Sequence, residues 1–395
     1  MRRFGLGCAL LLLAGCGGQA ADTTTTVAQP VTTTRVPVST TAPPTTTTTS
    51  TTTSTTTTSA LTAGGAALGA PGPYGVGRTD LTTRDAARED RRVWVQVFYP
   101  AEAGSSTPQE DVAPDTSGAP YPVVLGDTLI GEGFGAHLAS HGFVFLAMRN
   151  QTGGMMTLST DMIDFPLDQM VALDTLEALD SHPLTGLADT SRTGAIGYSF
   201  GSWNALMLAG ARIDPEHYLS TCAARPEGWS DFWWQYVCGD LPLWERIAAR
   251  AEEVGIATPE GLWAPMGDER IKAVMPMGPE GFDLIGPEGL AAVTVPALFI
   301  AAQDDQYNTY FPATTSLFEY YPNAELITFM GADHMMIFDP DAVWQMGRFA
   351  VAFFGYHLAG REDFAPYLTK EFVEQVAPGL GATDSYALVW GLAEP

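Results

Sequence analysis

The chain is poor in basic residues. Only 19 Lys and Arg stand against 45 Asp and Glu in 395 residues, for a formal net charge of −26. Three of those cations and only one acid lie in the first 70 residues, so the remainder carries 16 basic and 44 acidic residues, a net −28. That balance argues against nucleic acid as a partner and against electrostatic attraction to anionic lipid. Cysteine is also scarce. There are four, Cys8, Cys16, Cys222 and Cys238, and neither of the last two has a second Cys or His at a metal-ligand spacing, so a metal centre is not expected. No apolar run is long enough to span a bilayer stably, and no internal repeat is visible beyond runs of threonine.

The first 15 residues read as a leader rather than as fold. Met1-Arg2-Arg3 is basic, Phe4 to Leu13 is mostly apolar, and Leu13-Ala14-Gly15-Cys16 follows, the three parts of a secretory signal. Leu-Ala-Gly-Cys in that place resembles the lipobox of bacterial lipoproteins. The resemblance implies cleavage before Cys16, diacylation of its sulfur, and an exported protein lipid-anchored to the outer face of the bacterial cell membrane. Residues 23 to 59 hold 21 threonines among 37. With almost nothing apolar to bury, that stretch cannot offset the entropy of ordering, and residues 16 to 70 are expected to be a solvated tether. In an exported protein Cys222 and Cys238, an even pair, are expected to form a disulfide.

From residue 71 to 395 the pattern is that of one globular domain. Arg92–Pro100, Tyr121–Gly126, Gly142–Met148, Ser191–Ile196, Ile271–Met277, Val295–Ala302 and Ala324–Phe329 read as strands. Helical spacing lies between several of them, at Phe134–Ser140, Met162–Leu179, Trp203–Gly210 and Ala342–His357. Short apolar strands alternating with helices imply an α/β fold, a mostly parallel central sheet with helices on both faces. Residues 214 to 269 break the alternation. They carry the cysteine pair with Trp229, Phe232, Trp233, Trp234, Tyr236, Trp244 and Trp263. Such aromatic density suits either an acyl pocket or lid, or a disulfide-stapled cap with its own small core.

The chemistry centres on Gly197-Tyr198-Ser199-Phe200-Gly201, a G-x-S-x-G pentapeptide between a strand signal and a helix signal. That context is what a nucleophile elbow requires: a tight turn, a strained nucleophile, and glycines where side chains would collide. A serine hydroxyl needs a base. Downstream of Ser199 the histidines are His217, His334 and His357. His217 falls in the insertion and His357 inside the closing helix. His334 follows the last strand, in a loop at its C-terminal end, where sites of α/β sheets lie. The acid is expected after the preceding strand, at Asp304 or Asp305. Asp305 is preferred because its distance past Ala302 matches the usual G-x-x-D spacing, with Ala for Gly. Asp333 is expected to shape the histidine loop. The oxyanion donors are expected to be the N–H of Phe200 and one from the loop after Leu125.

Together these pieces resemble the platelet-activating-factor acetylhydrolase and dienelactone-hydrolase-like branch of the α/β-hydrolases. The residues that carry the resemblance are Pro71–Gly77, the Val93–Pro100 strand, Leu138–Phe143, Asp189–Arg192, Asp268–Val274 and the Asp305 and His334 loops. The resemblance implies the α/β-hydrolase fold. It implies hydrolysis of short-chain or lipid-like esters by Ser199, Asp305 and His334 without metal or cofactor. Dienelactone hydrolases proper use a cysteine nucleophile, so the serine argues against that activity. Family members usually carry His-Gly and an apolar residue at the oxyanion loop. This chain has Asp127-Thr128-Leu129, which by position makes the Leu129 N–H the second donor. Other readings are a polyester-degrading hydrolase, a serine peptidase or amidase, and a non-catalytic lipoprotein that binds a ligand on a hydrolase fold. The partners expected are a small-molecule or lipid ester and the membrane through Cys16, with no nucleic acid.

Overall fold

The computed structural model describes residues 52–102, 104–149, 159–225, 229, 231–239, 241–307, 313–380 and 386–393. The leader, Cys16 and most of the expected tether lie outside the described residues.

The described strands are β1 (Gly75–Asp85), β2 (Arg91–Ala101), β3 (Gln109–Glu110), β4 (Tyr121–Asp127), β5 (Val144–Met148), β6 (Ala188–Tyr198), β7 (Ile271–Met277), β8 (Ala297–Ala302), β9 (Ala324–Phe329) and β10 (Leu388–Trp390). They form one sheet in the order β10-β9-β8-β7-β6-β4-β5-β2-β1-β3. Strands β5, β4, β6, β7, β8 and β9 run parallel, while β1 pairs antiparallel with β2, β2 with β5, and β10 with β9. Every residue of β5 and β8 is buried, which is why those strands read as unbroken apolar runs rather than alternations.

The helices are α1 (Thr52–Gly69), α2 (Thr128–Ile130), α3 (Ala136–Ser140), α4 (Asp161–Glu177), α5 (Phe200–Leu208), α6 (Pro215–Ala224), α7 (Asp231–Cys238), α8 (Leu241–Glu253), α9 (Phe282–Ala291), α10 (Thr315–Tyr320) and α11 (Pro340–His357). One core layer packs α4, α5, α9, α10 and the insertion on one face of the sheet. The other packs α1, α3 and α11 on the opposite face. Helix α11 starts where Asp339 Oδ1 accepts from the Asp341 and Ala342 N–H groups and Pro340 occupies the first turn, a cap followed by the residue that needs no N–H partner there. Helix α4 contains Pro166, which cannot donate to the Met162 carbonyl four residues earlier. Trp203 of α5, fully buried, donates its Nε1–H to that carbonyl at 2.9 Å. The ring thus closes the gap the proline leaves and locks α4 to the helix behind the elbow.

One boundary differs from expectation. The tether was expected to run to residue 70, but Thr52–Gly69 is helical and packs on the body. Ala60, Leu61, Ala66, Ala67 and Leu68 supply helix formers, and Leu68 is buried. At Gly64 and Gly65 an added Cβ would fall within 3 Å of the Tyr367 and Phe372 rings, so glycine lets this helix approach closely. His137 Nε2 and His141 Nε2 bond the Leu68 and Ala70 carbonyls, each at 2.9 Å. The 214–269 insertion is built on three helices, α6 to α8, with Cys222 and Cys238 disulfide-bonded as expected. A buried ion network ties it down. Arg250 of α8 reaches Asp164 of α4 at 2.8 Å, and Arg88 spans Asp164 and Asp168 at 3.1 and 2.6 Å.

Candidate active site

Strand β6 ends at Tyr198, and α5 begins at Phe200. Ser199 between them has φ 54° and ψ −119°, a conformation a non-glycine residue holds only when its surroundings impose it. Those surroundings are on either side. The Ser199 N–H donates to the Met277 carbonyl of β7 at 2.9 Å, and the Ser199 carbonyl accepts from the Ser202 N–H at 2.8 Å and its hydroxyl at 2.6 Å. A Cβ on Gly197 would lie 2.1 Å from the Gly201 carbonyl oxygen, a backbone atom that cannot move aside.

The Ser199 hydroxyl lies 3.0 Å from His334 Nε2, and His334 Nδ1 lies 2.7 Å from Asp305 Oδ2. Three loops at the C-terminal ends of β6, β8 and β9 supply the three groups, so 135 residues of sequence close to one hydrogen-bond path. His334 opens a 3-10 turn capped by Asp333, whose Oδ1 accepts from the Met335 N–H at 2.8 Å. Its carbonyl accepts from the Tyr198 hydroxyl at 2.6 Å, and the Tyr198 and Tyr307 rings flank the imidazole. The Asp305 side chain is buried, and its Oδ1 accepts from the Tyr307 N–H at 2.9 Å. Asp304 is exposed, and its N–H ties the two loops together through the Ala332 carbonyl. Of the two candidate acids, Asp305 alone meets the imidazole.

A cavity of about 450 Å³ opens at Ser199. Its wall is mostly carbon, from Leu129, Met148, Phe165, Phe200, Ile337 and Phe338, with Trp233 and Tyr236 of α7 above. The insertion contributes to the cavity wall and to the core. Trp233 and Tyr236 line the cavity, while Trp244 and Trp263 stack at 5.4 Å within the core layer that the insertion shares with α4 and α5. Met335 also lines the cavity, and Met336 is buried in the core.

The alpha/beta hydrolase family model matches residues 128–346, more than half of the chain. The chain belongs to the α/β-hydrolase family. The matched span contains Ser199, Asp305 and His334. No curated protein matches this hydrolase.

The expected oxyanion donors fare differently. Phe200 is the first residue of α5, where an N–H has no acceptor within its own helix. The Leu129 backbone lies on the cavity wall beside Ser199, but its N–H donates to Asp127 Oδ1 at 2.8 Å, with Ile130 N–H on the same oxygen at 3.4 Å. In this arrangement the Leu129 N–H already has an acceptor. An aspartate at the start of a helix caps its first N–H groups, and Asp127 does so here with the donor that the oxyanion was expected to use. The Asp127 carboxyl faces the cavity rather than bulk water, and that burial raises its pKa to about 6, against the pull of the two N–H groups.

Two cavity residues escaped sequence reasoning. Glu280, in the loop after β7, is buried and its pKa is pushed up to about 8, by burial first and then by the Asp305 and Asp283 charges. Asn204 of α5 is also buried, and its Oδ1 has no hydrogen-bond partner among the described residues. The signals were present: Glu280 follows a parallel strand, and Asn204 sits one turn past the elbow. Only the cavity gives them meaning. His217 packs its ring against Phe282, and His357 against Phe353, both away from the site as expected.

Proposed function

We propose that this hydrolase is an exported serine carboxylic-ester hydrolase that cleaves short-chain or lipid-like esters through an acyl-enzyme. The observation that supports it most is the unbroken path from Ser199 through His334 to Asp305 at the floor of a carbon-walled cavity. His334 Nε2 takes the Ser199 proton as Oγ attacks the ester carbonyl. Asp305 accepts from Nδ1–H, fixing the tautomer and stabilising the imidazolium. The Phe200 N–H holds the oxyanion, the imidazolium returns its proton to the departing alcohol, and water releases the acid by the same steps. Cys16 and the basic–apolar leader support an extracytoplasmic, lipid-anchored location. The platelet-activating-factor acetylhydrolase-like branch is the reading of the sequence motifs set out above.

The test is labelling with a fluorophosphonate together with burst release of p-nitrophenol from a short ester. The expected result is label on Ser199, lost in Ser199→Ala, and a burst stoichiometric with enzyme. A folded protein that neither labels nor bursts would overturn the reading. One observation favours a second reading, that of a ligand-binding protein on this fold: Asp127 occupies the Leu129 N–H. It is separated from the first by ligand binding that survives Ser199→Ala with no turnover before the substitution.

A further inference from the structure

Part of the cavity lining is buried and polar, unlike its carbon walls. Glu280 and Asn204 supply it, only 6% and 3% exposed, from two elements that flank the elbow. The Glu280 backbone is held there by its N–H to Ser202 Oγ at 3.0 Å, and that same hydroxyl donates to the Ser199 carbonyl. Above them sits α7, with Trp233 and Tyr236 facing the cavity. Asp283 lies close by, but it is partnered by the Trp233 Nε1–H at 3.1 Å. Asn204 Oδ1 has no such partner among the described residues. A buried acceptor left unpaired in apolar surroundings is costly and is normally matched by protein, water or ligand.

We propose that Asn204 and Glu280 form a subsite for a hydroxyl group carried on the acyl chain of the substrate, so that the preferred esters are hydroxyacyl esters rather than plain alkanoates. A hydroxyl donates one hydrogen bond and accepts others. It can donate to Asn204 Oδ1 while accepting from the carboxyl proton of Glu280, which burial keeps in place at neutral pH. An alkyl chain end would leave Asn204 Oδ1 unmatched. An anionic chain end would meet Asp305 and Asp283, the two charges felt by Glu280 itself. The position of the acyl group rests on the esterase reading; the polarity of this part of the lining does not.

The experiment has a turnover arm and a binding arm. The first compares kcat/KM for p-nitrophenyl alkanoates, their ω-hydroxy counterparts and their ω-ammonio counterparts, over acyl chains of three to six carbons. The expected result is a preference of about 10- to 100-fold for the hydroxyl at one chain length, the range that unmatched buried polar groups give. Glu280→Gln, which keeps a donor and an acceptor, should retain that ratio, and Glu280→Leu should erase it or reverse it. The second arm measures binding of 1,6-hexanediol and 1-hexanol to Ser199→Ala by calorimetry, so the subsite is read without turnover. Tighter binding of the diol with no ester cleavage by the wild-type enzyme would keep the subsite and overturn the esterase reading. Cleavage without a hydroxyl preference at any length would overturn the subsite, as would a larger preference for the ammonium series.

Discussion

Asp127 offers the sharpest test of how the site works. Its Oδ1 takes the Leu129 N–H at 2.8 Å and the Ile130 N–H at 3.4 Å, and its carboxyl shares the cavity with Ser199. Replacing it by alanine removes a negative charge from the vicinity of the developing oxyanion and frees the Leu129 N–H. One oxyanion-hole donor is worth about 100- to 1,000-fold in kcat, so Asp127→Ala is expected to raise kcat by up to that factor. The cost is an N-cap, about 1 kcal/mol of stability, which lowers the melting temperature by a few degrees in a domain of this size. Asp127→Asn separates the two effects. It keeps an oxygen for the Leu129 N–H but not the charge, so its gain should be smaller than that of alanine. The assay is pre-steady-state and steady-state hydrolysis of p-nitrophenyl acetate, with fluorophosphonate labelling to count active sites. If both variants fold and label fully but lose tenfold or more in kcat, the reasoning is wrong, and Asp127 assists the reaction rather than obstructing it.

Other outcomes follow from the same geometry. Asp305→Asn should lower kcat about 10,000-fold through the wrong imidazole tautomer, while Asp304→Asn, an exposed position, should leave kinetics near wild type; the reverse order would reassign the acid. Arg88, buried and bridging Asp164 and Asp168, should cost about 3–5 kcal/mol when cut to alanine, since two buried carboxylates lose a partner; denaturant titration reads this directly. Reduction of the Cys222–Cys238 bond, which closes a 16-residue separation, should destabilise the insertion by about 3 kcal/mol on the chain-entropy estimate, seen as faster proteolysis of the 214–269 region. Glu280 and Asp283 hold their protons to about pH 8 and about pH 7 because they are buried, whereas unfolded carboxyls ionise near 4. In that window the folded state binds more protons than the unfolded one, so each group's contribution is fully present below about pH 4 and falls by about 1.4 kcal/mol per pH unit until its folded pKa is passed. Glu280→Gln should flatten the decline of melting temperature between pH 5 and 8; an unchanged slope would refute it.

The glycines of the elbow, the order Ser199–Asp305–His334 and the all-buried strands were legible because each leaves a local mark. Gly197 is required by a backbone 2.1 Å away, and β5 and β8 are covered on both faces, which excludes polar residues at every position. The strands β1 and β10 were not legible, since β1 alternates weakly and β10 has only three residues whose partner is β9 of the far edge. Helix α1 was hidden for a related reason. A threonine-rich stretch has no helical signal strong enough to overcome composition, and its glycines become an asset only against Tyr367 and Phe372, some 300 residues later.

The sequence by itself determined the family-level architecture and singled out Ser199 and His334, because backbone sterics and chain order constrain those residues locally. Tertiary structure alone brought Asp305 rather than Asp304 to the imidazole, turned Asp127 from a position in a loop into a cap on the Leu129 N–H, and set Glu280 and Asn204 in the lining of one cavity. These are distinctions of direction and burial. A carboxylate reads identically in sequence whether it points to water, to an imidazole or into an apolar chamber, and its chemistry depends on which of those surrounds it.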